Sequence, residues 1–113
     1  MILSEFLYKK GEKGVVKRWK RRWFYIKEDN PFTVVYKEKE TDEKAKGKIY
    51  LRGVTNIRAV EDNSRDDFIF IVTTPSSHKD RDYILAATTK DSRDKWISTL
   101  QNVSILIIYK IDI

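Results

Sequence analysis

Lys9-Lys10-Gly11-Glu12-Lys13-Gly14-Val15-Val16-Lys17-Arg18-Trp19-Lys20-Arg21-Arg22-Trp23-Phe24-Tyr25-Ile26 passes within eighteen residues from a cationic, glycine-bearing run to an aromatic one. From Lys9 to Arg22 there are eight basic residues and one acid, a formal charge of +7, whereas the whole 113-residue chain carries +6. The other ninety-nine residues sum to −1, so the basicity is a local patch. A patch of that kind needs an anionic partner: nucleic acid, a membrane headgroup or an acidic protein.

Period-two alternation organises both halves of the stretch. Phe6-Leu7-Tyr8 leads into the basic segment, and Gly11 and Gly14 suit a hairpin connection. A second strand over about Trp19 to Lys27 sets Lys20, Arg22, Phe24 and Ile26 on one face and Trp19, Arg21, Trp23 and Tyr25 on the other. Leu7 and Lys9 share a face of the first strand, so an antiparallel hairpin brings Lys9 near Lys20 and Arg22.

Outward from this hairpin, Glu28-Asp29-Asn30-Pro31 reads as a turn and Phe32 to Tyr36 as a β-branched and aromatic third strand. Lys37 to Lys46 is a charged loop. Ile49-Tyr50-Leu51 and Val54 to Val60 are short strands around Gly53; Phe68 to Thr73 and Asp82 to Ala87 are two more, separated by polar loops. After Ala87 the apolar period changes. Trp96, Ile97, Leu100 and Val103 recur at helical spacing behind an N-cap candidate at Thr89 or Asp91. The expected fold is mainly β: a seven-stranded antiparallel barrel or sandwich capped by one C-terminal α-helix, with Trp96 leading the face that covers the open end.

At this length the chain is one domain that buries roughly two-thirds of its unfolded surface. Its expected extent is 1–104, followed by an apolar tail, 105–113, which could extend the helix, dock on the barrel or begin a further segment. The tail is too short to span a membrane. No cysteine is present, so there is no disulfide or thiolate metal site, and the first residues lack the pattern of a signal peptide. His78 is the sole histidine and stands in a polar loop; no metal site, cofactor or catalytic group is expected. The chain reads as soluble and cytosolic.

Seven strands, one helix with a central Trp, Phe6-Leu7-Tyr8-Lys9-Lys10-Gly11 in the first strand and the Trp19 to Ile26 block together resemble the pleckstrin-homology domain family over about Glu5 to Val103. Members that bind polyphosphoinositides carry a Lys ending strand one and, after a loop, a basic residue, any residue and Arg; Lys9, Lys20 and Arg22 match. The resemblance also implies ligand contacts from Tyr36 on strand three and from Lys46 before Gly47. It implies a non-catalytic, membrane-targeting module for phosphoinositide headgroups, including 3-phosphorylated forms such as phosphatidylinositol 3,4,5-trisphosphate or 3,4-bisphosphate. Such a module would be recruited to the inner face of the plasma membrane or another phosphoinositide-bearing membrane.

The chemistry suits that expectation. Arg22 can offer two parallel donors to one phosphate, the lysines act as compact charges, and the Tyr36 hydroxyl can donate. Lys10, Lys13, Lys17 and Arg18 supply general attraction to an anionic leaflet, about 1 kcal/mol each. Val15-Val16 between them could enter the acyl boundary. Trp23, Phe24, Phe70 and Trp96 read as packing residues, and Trp19 as either a membrane contact or a cover for lysine stems. The competing reading is a protein-interaction module using the basic face or the apolar tail. Nucleic acid ranks third, because the strand bearing Trp19 and Trp23 alternates with residues needed in the core.

Overall fold

Strand β1 (Leu3–Lys10) pairs antiparallel with β2 (Trp19–Lys27) in unbroken register, from Leu3 opposite Ile26 to Lys10 opposite Trp19. The structure, a computed structural model, describes residues 1–11, 18–54 and 56–111, the last six as helical backbone. The remaining strands are β3 (Asn30–Lys37), β4 (Gly47–Tyr50), β5 (Asn56–Val60), β6 (Phe68–Thr74) and β7 (Arg81–Ala87), followed by α1 (Lys90–Ile111).

All seven strands form one antiparallel sheet in the order β4-β3-β2-β1-β7-β6-β5. Its two meanders join where β1 meets β7, through Tyr8–Ala86 and Lys9–Leu85. Residues from both meanders bury into a single core: Leu7, Phe24, Ile26, Val34 and Ile49 from one, Ile57, Phe70, Val72 and Leu85 from the other. The sheet is thus folded over on itself, a barrel whose free edges are β4 and β5. Trp96, Leu100 and Val103 close it; α1 rests against β3, β5, β6 and β7. Fully burying a side chain such as Leu100 stabilises by about 1.5–3 kcal/mol, which is why the helical apolar stripe docks here.

Thr89 is the N-cap. Its Oγ1 accepts from the Ser92 amide at 3.1 Å and its carbonyl from the Arg93 amide at 3.1 Å, leaving Asp91 in the first turn. A second tie fixes the helix to β1. One carboxylate oxygen of Glu5 accepts from the indole Nε1 of Trp96 at 2.9 Å and from the Ser92 hydroxyl at 2.6 Å.

The observed elements depart from the sequence reading in a few places. The turn after β2 shrinks to Glu28-Asp29, because Lys27 already pairs with Asn30. Pro31 therefore lies inside β3, beside a register shift that opens between Tyr25 and Lys27, where no regular ladder donor is needed. β4 begins at Gly47 and β5 at Asn56, which shifts the fourth strand earlier and shortens the fifth. Trp23 is half-buried on the outer face, where its ring meets Phe6 edge-on at 4.8 Å, and is absent from the core. The helix runs unbroken through Ile111, so the apolar tail begins as a continuation of α1.

Candidate functional site

Lys9 and Lys20 stand directly opposite each other in the β1–β2 ladder, and Arg22 follows Lys20 on the same face, opposite Leu7. The row continues across the sheet. Phe24 pairs with Tyr36 of β3, Tyr36 pairs with Gly47 of β4, and the Lys46 amide donates to the Tyr36 carbonyl at 2.8 Å. Lys9, Lys20, Arg22, Tyr36 and Lys46 are consequently brought together. With Gly11 they line one open cleft of about 220 Å³ at the mouth of the barrel. That volume is below the roughly 300–1,000 Å³ of typical small-molecule pockets.

Lys9 occupies the inner wall. Its Nζ lies 5.6 Å from the centroid of the Tyr36 ring and 6.0 Å from that of Tyr83, so two π faces support a cation that the strand has turned inward. The Tyr36 ring stacks on Phe24 at 5.1 Å, and Phe24 meets Trp96 edge-on at 6.4 Å, which ties the wall of the cleft to the capping helix. Lys46 is at the exposed rim, with Nζ 3.8 Å from Glu38. An ion pair that open is screened and contributes little, so it leaves Lys46 able to exchange partners. Arg22 is half-buried and donates through one terminal nitrogen to the Arg21 carbonyl at 3.0 Å.

Gly47 has a steric reason for being glycine. A Cβ there would overlap the hydroxyl and ring of Tyr36, which lies flat over it; the backbone at Gly47 is ordinary, and only Gly53 has positive φ among the described glycines. Arg81 and Tyr83 were not singled out by sequence reasoning. The Arg81 guanidinium sits 4.2 Å from the centroid of Tyr83, the ring that also faces Lys9. Their alternation at the start of β7 was the available signal, but only the β1–β7 pairing shows that this strand flanks Lys9.

The outer face of the hairpin has its own contacts. Trp19 lies beneath the Arg65 guanidinium at 4.3 Å, and Arg65 in turn donates to both carboxylate oxygens of Asp67 at 2.6 and 2.7 Å. That hydrogen bonding holds the Asp67 carboxyl below its ordinary range and raises Arg65. Arg21 covers Phe6 at 3.5 Å. Of the cations expected to serve general attraction, Arg18 is exposed and Lys10 half-buried; Lys13, Val15, Val16 and Lys17 lie outside the described residues. His78 is exposed, and no group of three metal-ligating side chains forms among the described residues. No described helix is long and apolar enough to cross a membrane.

A family model described as PH domain matches residues 1–104. Human pleckstrin is 30% identical over 100 residues, covering 88% of this chain and 26% of that protein. Human Rho GTPase-activating protein 24 is 32% identical over 110 residues, covering 90% of this chain and 14% of that protein. The chain thus spans about a quarter or less of these relatives' lengths. Among solved structures, the PH domain of human TBC1 domain family member 2 protein superposes with a TM-score of 0.72 at 27% identity, over 96% of this chain and 83% of that one.

Proposed function

Since this chain belongs to the PH-domain family, whose members are generally non-catalytic modules for lipid or protein binding and membrane targeting, we propose that it binds phosphoinositide headgroups through the cleft of Lys9, Lys20, Arg22, Tyr36 and Lys46. The observation that carries this reading is the convergence of those five side chains, from three neighbouring strands and the residue just before β4, on one opening. A rigid inositol ring bearing several phosphates requires cations that reach different phosphates at once. Arg22 supplies a planar fork for one phosphate, Lys9 and Lys20 point charges for a second, and the Tyr36 hydroxyl and Lys46 the far side of the ring. Headgroups with adjacent phosphates, the 3-phosphorylated ones among them, suit this arrangement best, and Lys10, Lys13, Val15, Val16, Lys17 and Arg18 add nonspecific membrane contact. Binding would recruit the protein to the inner face of the plasma membrane or another phosphoinositide-bearing membrane.

Cosedimentation with phosphatidylcholine vesicles carrying each phosphoinositide in turn tests the reading. Arg22→Ala should weaken binding by roughly 10- to 100-fold, the equivalent of 1.5–3 kcal/mol for a hydrogen bond to a charged group. If wild type and variant bind alike, or if neither binds, the cleft is not a headgroup site. A protein-docking role is the second reading, favoured by Ile105: it is 50% exposed and borders an open groove of about 290 Å³ with Val54, Ile57 and Gln101. Ile105→Lys would abolish capture of such a partner and leave vesicle binding intact.

A further inference from the structure

The sheet carries a second charged surface, on the side of β1–β4 turned away from the core and the headgroup cleft. Core residues such as Leu7, Phe24, Val34 and Ile49 take one parity of these strands and leave the other outward. Cross-strand pairing sets the outward residues in rows: Phe6 beside Trp23 beside Lys37, then Tyr25 beside Val35 beside Lys48, then Thr33 beside Tyr50. Arg21 and Lys27 flank the rows along β2. β2 thus serves the core with one face only, and its aromatic residues Trp23 and Tyr25 belong to the other.

Rings and cations alternate over this face, and no strand carboxylate interrupts them. Glu5 is the sole acid in β1–β4, and it is bonded to Trp96 and Ser92 on the opposite side. The Arg21 guanidinium lies 3.5 Å from the centroid of Phe6, and the Lys37 and Lys27 ammonium groups stand 5.2 and 5.9 Å from that of Tyr25. Arg21, Lys27 and Lys48 are exposed. Among the described residues none of these four cations forms an ion pair, in contrast to Lys46, Arg65 and Arg93. Tyr50, on the edge strand, is 63% exposed, the only exposed aromatic side chain among the described residues. Beside Tyr25 opens a hollow of about 350 Å³ lined by Lys27, Val35 and Lys48, where Asn30, Thr33 and Glu43 supply donors and acceptors.

We propose that this face binds single-stranded nucleic acid, with phosphates on Arg21, Lys27, Lys37 and Lys48, one base stacked on Tyr50 and another seated in the hollow beside Tyr25. A nucleotide strand alternates a charged group with a flat, uncharged ring, which is the alternation the face displays. An acidic peptide would use the cations and gain nothing from Tyr50 or from the hollow. A duplex hides its bases in the stack, and a broad sheet face does not enter a groove that admits a helix or a two-stranded ribbon. The surface is also separate from the headgroup cleft. Tyr25 lies five residues beyond Lys20 on β2 and on its other face, about 16 Å along the strand at roughly 3.3 Å per residue, so binding here does not depend on lipid in the cleft.

Fluorescence anisotropy of a labelled oligouridine of about 16 nucleotides, at about 50 mM salt, provides the test. Wild type should bind it more tightly than a duplex of the same length, although the duplex carries more charge. Tyr50→Ala, which changes no charge, should weaken binding by about 5- to 150-fold, the range for loss of one base stack. Lys48→Gln should make the fall of log K with log salt shallower by about 0.7. Arg22→Ala, which removes the planar fork from the headgroup cleft, should cost oligouridine binding less than Tyr50→Ala does. No binding by wild type, equal binding of duplex and single strand, or a Tyr50→Ala variant that binds like wild type overturns the proposal. A loss in Arg22→Ala as large as that in Tyr50→Ala also overturns it, by seating the strand in the cleft. Tighter binding of a polyglutamate peptide of equal charge assigns the face to an acidic protein instead.

Discussion

Gly47→Ala is the sharpest probe of how the cleft is built, because two effects of opposite sign meet at one methyl group. Gly47 has an ordinary backbone conformation in β4, where alanine would normally be favoured over glycine by about 0.5–1 kcal/mol. Here the new Cβ meets the Tyr36 ring and hydroxyl. Tyr36 is 8% exposed and stacked on Phe24, so it cannot swing aside without loosening the core. Over-packing of that kind costs about 1–3 kcal/mol. The net change in the wild-type background is therefore a destabilisation of about 0–2.5 kcal/mol, and in a Tyr36→Leu background a gain of about 0.5–1 kcal/mol. Urea unfolding of the four proteins in this double-mutant cycle gives the coupling directly, provided the m-value is constant. A coupling of about 1–3 kcal/mol is expected, together with weaker headgroup binding in Gly47→Ala, since the displaced ring is the one that faces Lys9. Additivity within about 0.5 kcal/mol would refute the reasoning, because it would mean that the ring and the glycine do not share space.

Two further perturbations address the elements that aim the site. Glu5→Ala leaves the indole N–H of a 1% exposed Trp96 without its acceptor, and should lower the unfolding free energy by about 1.5–3 kcal/mol in urea titrations; a change under about 0.5 kcal/mol would show that the latch is dispensable. Asp67 gives a pH signature. Its folded carboxyl is held below the ordinary value of 3.8 by Arg65, so the stability it contributes is fully present above that value and is lost as pH falls through the lowered one. Asp67→Asn removes this contribution, and the gap in urea midpoint between wild type and variant should be open at about pH 6 and narrow toward about pH 2. A gap independent of pH would sever Asp67 from acid sensitivity.

The legible parts of the fold were those in which one strand's own alternation decides the outcome. β2 emerged at Trp19–Lys27 because its alternation sorts Lys20, Arg22, Phe24 and Ile26 to one face and Trp19, Arg21, Trp23 and Tyr25 to the other. The same parity, mirrored in β1, put Lys9 opposite Lys20. Pro31 misled because its missing donor normally marks a turn, yet the register irregularity beside it in the β2–β3 ladder excuses it. Trp23 packs where its parity sends it, outward against Phe6. Glu5 and Arg93 carried no local signal at all. The partners of Glu5 stand 87 and 91 residues away, and Arg93, only 4% exposed, finds Asp94, Glu61 and the Phe68 ring from the first turn of α1. Likewise the position of Arg81 near Lys9 depends on β7 lying beside β1, a long-range fact.

The central place of β1 also governs how the chain can come into being. β1 has one neighbour, β2, within a few residues and the other, β7, roughly seventy residues downstream. During synthesis at roughly 5–20 residues per second, several seconds pass between the emergence of β4 and that of Trp96, and for that time one edge of β1 is an unpaired template. Glu5, Lys9 and Lys10 along that strand are the kind of charged side chains that discourage a stray strand from docking there. These lysines thus also stand guard over the nascent half of the domain, and neutralising them should raise ribosome-associated aggregation.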